Sequence, residues 1–202
     1  MTALLTATAE HLAMTAAGVA VATVVGLLFG MLIARHRALA TPVLTIADII
    51  QTIPSLALLA LLMVAFGLGD NTVIIGLSLY SLLPIIRNTY TGLNSVSPAV
   101  REAARGMGMS GTQSLRMVEL PLALPMILSG VRIAFVTALG TAVIGVLIGS
   151  GGLGYIIYRG IQSLSWSMII EGTIPVVLLS LLVQYGVEAL QKLSKRRRKR
   201  HV

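Results

Sequence analysis

Two aspartates, a run of closely spaced glycines and three histidines are the residues of this chain that invite a catalytic reading. Asp48 and Asp70 are its only aspartates, and Gly67-Leu68-Gly69-Asp70 sets the second in a Gly-x-Gly-Asp pattern suited to peptide hydrolysis inside a membrane. That chemistry needs two carboxylates sharing one proton at close range. Along one continuous helix the 22 residues between them would span about 33 Å, and no dyad forms. Gly149-Ser150-Gly151-Gly152-Leu153-Gly154 satisfies the Gly-x-Gly-x-x-Gly spacing that cradles a pyrophosphate. The pattern carries that meaning only between a strand and a helix. Here it comes after a long apolar run and reads as a flexible connecting loop. No Gly-x-x-x-x-Gly-Lys-[Ser/Thr] exists, since the first lysine is Lys192, so any ATP hydrolysis at a P-loop belongs to another subunit. His11, His36 and His201 lie in separate segments and there is no cysteine. We expect no catalytic residue, no bound cofactor and no metal site.

The elements that carry these residues are apolar. Mean hydropathy is +0.92, with 56% hydrophobic and 11% charged residues, whereas soluble domains carry about 25% charged residues. Runs of about 20 apolar residues are the membrane signature. Five are expected: Leu12 to Ala34, Leu44 to Phe66, Thr72 to Ile86, a span within Leu122 to Ile148, and Met168 to Leu190. Gly67 to Asn71 reads as a turn and Gly149 to Ser167 as a Gly-rich connection. Met1 to Glu10 has no basic segment ahead of a short apolar core, so the first run reads as a retained helix rather than a signal peptide. The chain divides into one membrane domain, 1–191, and a basic tail, 192–202.

Lys and Arg accumulate on the cytoplasmic side of membrane proteins. With the N-terminus outside and the C-terminus cytoplasmic, all but Arg132 and Arg159 of the fifteen basic residues fall inside. The Lys195 to Arg200 run then reads as a topological anchor that can also attract anionic lipid headgroups. No folded basic surface accompanies it, which argues against nucleic acid. Asp48, Gln51, Arg132 and Glu171 are costly in lipid and should face the bundle interior or a wet cavity. Arg132 can alternatively snorkel from the end of its span. Asp48, Gln51, Pro54 and Glu171 are the candidate pathway residues. Pro54, Pro84, Pro125 and Pro175 leave carbonyls that can bend a helix or line a path. Gly26-x-x-x-Gly30 and Gly145-x-x-x-Gly149 are small-residue faces for helix packing, within or between subunits.

Between the third and fourth spans lies a polar island, about 87–121, on the positive side. Ser97-Pro98 starts a helix, because serine caps free N–H groups and proline at the first helical position forfeits none. Val100, Ala103 and Ala104 share a face small enough for close approach, with Glu102 and Arg105 beside it. Gly106 and Gly108 stop the helix, Ser110-x-x-Gln113 is a capping box, and Pro121 starts the next span. An island of this kind faces water, where a partner can read it.

Glu102-Ala103-Ala104, Gly108 and then Val118-x-Leu120-Pro121 resemble the EAA loop of ABC-importer permeases, with Val118 in place of the usual isoleucine. The resemblance extends to Gln51-Thr52-Ile53-Pro54-Ser55-Leu56-Ala57, Leu82 to Tyr90, Glu119 to Pro125 and Ile148 to Gly154. These blocks are similar to the branch serving glycine betaine, carnitine and choline uptake. Methionine-uptake permeases share the five-helix core but match the blocks less well, and remain the alternative.

This resemblance implies an all-α membrane protein with the type I ABC importer, methionine-permease-like fold, in the bacterial cytoplasmic membrane. It implies a second permease subunit, identical or homologous, two copies of an ATPase that hold ATP and Mg, and an extracytoplasmic binding protein. It also implies that Glu102, Ala103, Ala104 and Gly108 make or shape the ATPase contact, within the register completed by Val118, Leu120 and Pro121. Aromatic cages hold quaternary ammonium groups, and only 4% of residues are aromatic, so substrate selection is expected elsewhere. An intramembrane enzyme lacks its constellation, and a channel without an ATPase would leave the Glu102 to Pro121 register unexplained.

Overall fold

A computed structural model describes residues 2–199; the side chains of Leu190 and residues 192–199 lie outside that description. The basic run expected to anchor the tail therefore falls beyond the described side chains. Among the described residues the chain is helical, without strands. Helix α1 (Thr2–Arg35) is followed by a 3-10 turn and α2 (Ala40–Thr52), then α3 (Ser55–Phe66) and α4 (Asp70–Asn94). After α5 (Pro98–Gly106) come α6 (Gly111–Ser114), a π turn (Leu115–Glu119), α7 (Leu120–Ala142) and a 3-10 turn (Val143–Ile148). Helices α8 (Leu153–Gln162) and α9 (Trp166–Lys199) complete the fold. Among the described residues, four helical columns are long and apolar enough to cross a membrane, and α2 with α3 makes a fifth when counted as one span.

That fifth span departs from expectation. The run from Leu44 to Phe66 is broken, and its halves meet at 97°. Pro54 is the cause. A residue before proline is pushed out of the helical region, and Ile53 sits at φ −66°, ψ 126°. The third span is longer than expected, because α4 runs through Arg87 to Asn94 and carries Pro84 inside it. Arg87 is therefore a helical residue and not the start of the polar island. The fourth span begins earlier, since α6, the π turn and α7 form one column from Gly111 to Ile148. In the π turn, Leu120 N–H reaches back five residues to Leu115, which relaxes the helix just ahead of Pro121.

The core lies between α1, α4 and α7. Val19, Ala22, Leu77, Ile85, Ala134 and Ala138 are buried together there. Gly26 and Gly30 pack within the chain: a methyl at Gly30 would stand 2.5 Å from Thr89 Cβ, and one at Gly26 2.7 Å from Ile85 Cγ2. Gly145 packs on Val73, whereas Gly149 is a left-handed cap at φ +80°. The connection 149–167 holds α8, which packs on α9. The helical spacing of Leu153, Ile156, Ile157 and Gly160 is the signal for it in the sequence.

Candidate functional site

Helix α5 is built from its ends. Ser97 Oγ accepts from Val100 N–H, and Pro98 occupies the first turn. At the other end Met109 N–H donates to Ala104 O at 3.1 Å and Gly108 N–H to Arg105 O at 2.9 Å. This is the Schellman pattern, which needs a left-handed residue after the cap. Gly108, at φ +80°, fills that place. Gly106 remains helical and does not stop the helix as expected. The capping box at Ser110 and Gln113 forms in both directions. The short strip between α5 and α6 is thereby fixed at each end.

The motif residues divide into two groups. Glu102 and Ala103 are exposed, while Ala104 is 1% exposed and faces into the protein. Ala104 therefore cannot share one contact face with Ala103 and Val100; it seats α5 on the bundle. Val118 and Leu120 are half-buried, and Pro121 is exposed. Leu120 packs on the cluster of Leu93, Ala123 and Ile127. Val100 and Met107, flanking Glu102 and Ala103 in sequence, and Met117 in the π turn are exposed apolar groups of this region. Sequence reasoning passes over the two methionines because neither belongs to a periodic pattern.

Four further residues hold this region. Arg101 Nε stands 3.1 Å from Glu119 Oε2, and its Nη2 donates to Leu93 O at 2.6 Å. Ser114 Oγ donates to the other oxygen of Glu119 at 3.1 Å. Arg35, ending α1, donates to Gly111 O at 3.2 Å. Helix α5 is thus tied to the end of α4 and to the start of the α6–α7 column.

The candidate pathway residues are only partly gathered. Pro84 has no N–H to offer Tyr80 O, four residues back, and Gln51 Nε2 supplies the donor at 3.2 Å. In return the Tyr80 hydroxyl donates to Ile53 O at the break. Asp48 meets Arg87, whose Nη2 lies 2.7 Å from each carboxylate oxygen. Asp48, Gln51 and Pro54 thus share one seam between the broken span and α4, a seam that also contains Tyr80 and Arg87. Glu171 is elsewhere, exposed on α9, which packs on α7 and α8. It does not face the chain's own interior. Arg132 sits in the middle of α7, half-buried, and does not snorkel from its end.

Asp70 and Asp48 belong to different helices, so the straight-helix separation does not apply. Each is committed elsewhere. Asp70 opens α4 and accepts from Ser150 Oγ at 2.7 Å and Gly151 N–H at 3.2 Å. Glu10 accepts from Gly152 N–H at 3.2 Å. The Gly149 to Gly154 segment is therefore a turn held by two carboxylates from two spans rather than a loose link. The N–H groups of Gly151 and Gly152 are occupied by the protein's own anions. Among the described residues no three His, Asp or Glu side chains group as metal ligands would.

Residues 22–200 match the family described as binding-protein-dependent transport system inner membrane component. The glycine betaine/carnitine/choline transport system permease protein OpuCD of Bacillus subtilis is 49% identical over 91% of this chain and 80% of that protein. The choline transport system permease protein OpuBD of the same organism is also 49% identical, over 93% and 85%. The osmoprotectant import permease protein OsmW of Salmonella typhimurium is 43% identical over 91% and 88%. Among solved structures, the inward-facing MetNI methionine ABC transporter superposes with a TM-score of 0.86, at 26% identity, over 96% of this chain and 97% of that one. The chain belongs to the binding-protein-dependent transport system inner membrane component family, as a multi-pass permease of the type I ABC importer fold.

Proposed function

We propose that this chain forms the translocation pathway of an ATP-driven importer for quaternary-amine compatible solutes such as glycine betaine, carnitine and choline. The observation that carries the substrate class is the 49% identity to permeases named for those solutes over nine-tenths of the chain. Likeness to a methionine transporter, at 26% identity, is a likeness of fold, and methionine remains the alternative. The observation that carries the coupling is α5, capped at both ends and presenting Glu102, Ala103, Val100 and Met107 outward. An ATPase subunit docks there, two copies per importer, and hydrolyses ATP with Mg. Ala104, Gly108, Val118, Leu120 and Pro121 hold the docking helix in place.

The N-terminus lies outside and the C-terminus in the cytoplasm, within the bacterial cytoplasmic membrane. Residues 1–191 act as one permease domain, and the basic stretch 192–202 serves as a cytoplasmic topological anchor. A second permease subunit completes the pathway, and an extracytoplasmic binding protein delivers substrate. Asp48, Gln51 and Pro54 lie along the pathway. Glu171, on a separate exposed face, takes part only where a partner subunit covers it. The test is uptake of labelled glycine betaine, carnitine, choline and methionine in cells lacking other carriers, with and without the ATPase. Accumulation of the three quaternary amines that depends on the ATPase is expected. Methionine uptake alone, or uptake without the ATPase, would remove the reading.

A further inference from the structure

The seam between α2 and α4 is polar, although both helices belong to segments apolar enough to span a membrane. On α2, Thr45, Asp48 and Thr52 recur at helical spacing along one side, none of them buried. On α4, Tyr80, Arg87 and Thr91 do the same, again unburied. In the middle stands the Asp48–Arg87 pair, with side chains 47% and 51% exposed. Charged side chains within spanning segments are tolerated where they face one another or a water-filled cavity. These two face one another, and the rest of the chain leaves about half of each side chain uncovered.

Its geometry leaves capacity unused. A guanidinium carries donors on three nitrogens in a planar fork that matches a carboxylate bidentately. Asp48 engages Nη2 alone, through both oxygens. Among the described residues, nothing else bonds to that fork. A half-exposed pair is also weakly held, because solvent screens it. The break at Pro54 makes α2 a separate arm from α3. Among the described residues, that arm is hydrogen-bonded to α4 by the pair, by Gln51 to Tyr80 O and by the Tyr80 hydroxyl to Ile53 O, and Ala47 packs with Leu83 and Ile86 beside them.

Glycine betaine and carnitine each carry a quaternary ammonium and a carboxylate, whereas choline has a hydroxyl in place of the carboxylate. A trimethylammonium has no N–H to donate, so it is held by carboxylate charge or by aromatic faces. A carboxylate can take the guanidinium fork directly. We propose that Asp48 and Arg87 form a substrate subsite in the pathway. There a zwitterion opens the ion pair by partner exchange, its carboxylate taken by Arg87 and its ammonium end held by Asp48. This rests on the quaternary-amine reading and adds to it a permease residue that distinguishes zwitterion from cation.

The test uses the complete importer, with its ATPase and binding protein, in proteoliposomes. Initial uptake of labelled glycine betaine, carnitine and choline is compared for the unaltered permease and for Arg87→Gln, Arg87→Lys and Asp48→Asn. The binding protein is identical throughout, so any change in substrate ratio originates in the permease. Arg87→Gln should lower kcat/KM for betaine and carnitine about tenfold, the usual scale for loss of a charge-assisted contact, and leave choline within about threefold. Asp48→Asn should lower all three. Arg87→Lys keeps the charge and loses the fork, so it should lower the betaine-to-choline ratio. It serves as the decisive variant if Arg87→Gln does not reach the membrane. In the Arg87 variants, a mere tie between helices would move all three substrates together. That result, or an unchanged ratio in every Arg87 variant that inserts, would overturn the subsite. Uptake of none of the three by the unaltered importer would instead remove the functional reading, and the subsite with it.

Discussion

Arg101–Glu119 and Asp48–Arg87 are two ion pairs with opposite settings. The first has side chains 28% and 18% exposed, and its members also bind Leu93 O and Ser114. The second is half-exposed, and its members bind only each other among the described residues. A pair largely withdrawn from water is costlier to break, because the surviving charge keeps little solvent and only neutral partners. A pair in water exchanges its partners cheaply. The buried one is suited to transmit motion from a docked ATPase into α4 and α7. The open one is suited to let something pass.

The largest expected effect comes from breaking the buried pair. Glu119→Ala leaves Arg101 and Ser114 without their acceptor, at a local cost of about 2–3 kcal/mol once partial exposure is allowed for. The protein should reach the membrane normally, while ATPase co-purification and uptake fall together by about tenfold or more. Uptake at the normal level would show that the buried pair transmits nothing. Next is α5 itself, the proposed docking helix. Gly108→Ala forces a side chain into left-handed backbone, for about 1–2 kcal/mol, and should weaken ATPase capture several-fold. Gly106→Ala is the control, since a methyl there meets nothing within 4 Å. A helical Gly→Ala change is neutral or favourable by about 1 kcal/mol. Equal losses in both would remove the Schellman cap as the cause.

Asp48→Asn sharpens the comparison from the other side. It should shift the stability of the solubilised protein by less than about 1 kcal/mol, measured as a small change in Tm, even though transport responds. A Tm fall as large as that of Glu119→Ala would make the two pairs alike. Smallest in effect is a labelling experiment, which the absence of native cysteine makes clean. Cysteine at Asn71 or Gln162 should react with an impermeant reagent added outside, and cysteine at Thr112 should not, with uptake unchanged. The reverse pattern would place α5 on the wrong face of the membrane.

How much the sequence discloses differs between these regions for a physical reason. Helix α5 is legible because its signals are local: Ser97-Pro98 begins it, and the Ser110-x-x-Gln113 box starts its neighbour α6. The family's spacing places Glu102, Gly108 and Leu120-Pro121 in order. The inward side of α5 is not legible, because Ala104 and Ala103 differ only in which one meets the rest of the protein. Arg101 and Glu119 are 18 positions apart, and nothing in composition joins them. The second span looks like one helix in sequence because apolar length survives a break; the pre-proline geometry of Ile53 decides the angle. Helix α8 is hidden by glycines that look like linker. A methyl at Gly154 would stand 2.3 Å from Val143 O, so that glycine marks tight packing and not slack.

The glycines of α1 carry a mechanical consequence. Gly18, Gly26 and Gly30 each admit atoms of α4 where a methyl would collide, at 2.9, 2.7 and 2.5 Å. They occupy one face over 12 residues, about 18 Å of helix. With only the small Ala22 side chain between those glycines, little on that strip can re-pack, and the two rods resist shear and turn as a splinted unit. Displacement entering at α5 through Leu93 is therefore delivered to the far end of α4, where Asp70 holds the Ser150 turn, with little lost to bending on the way.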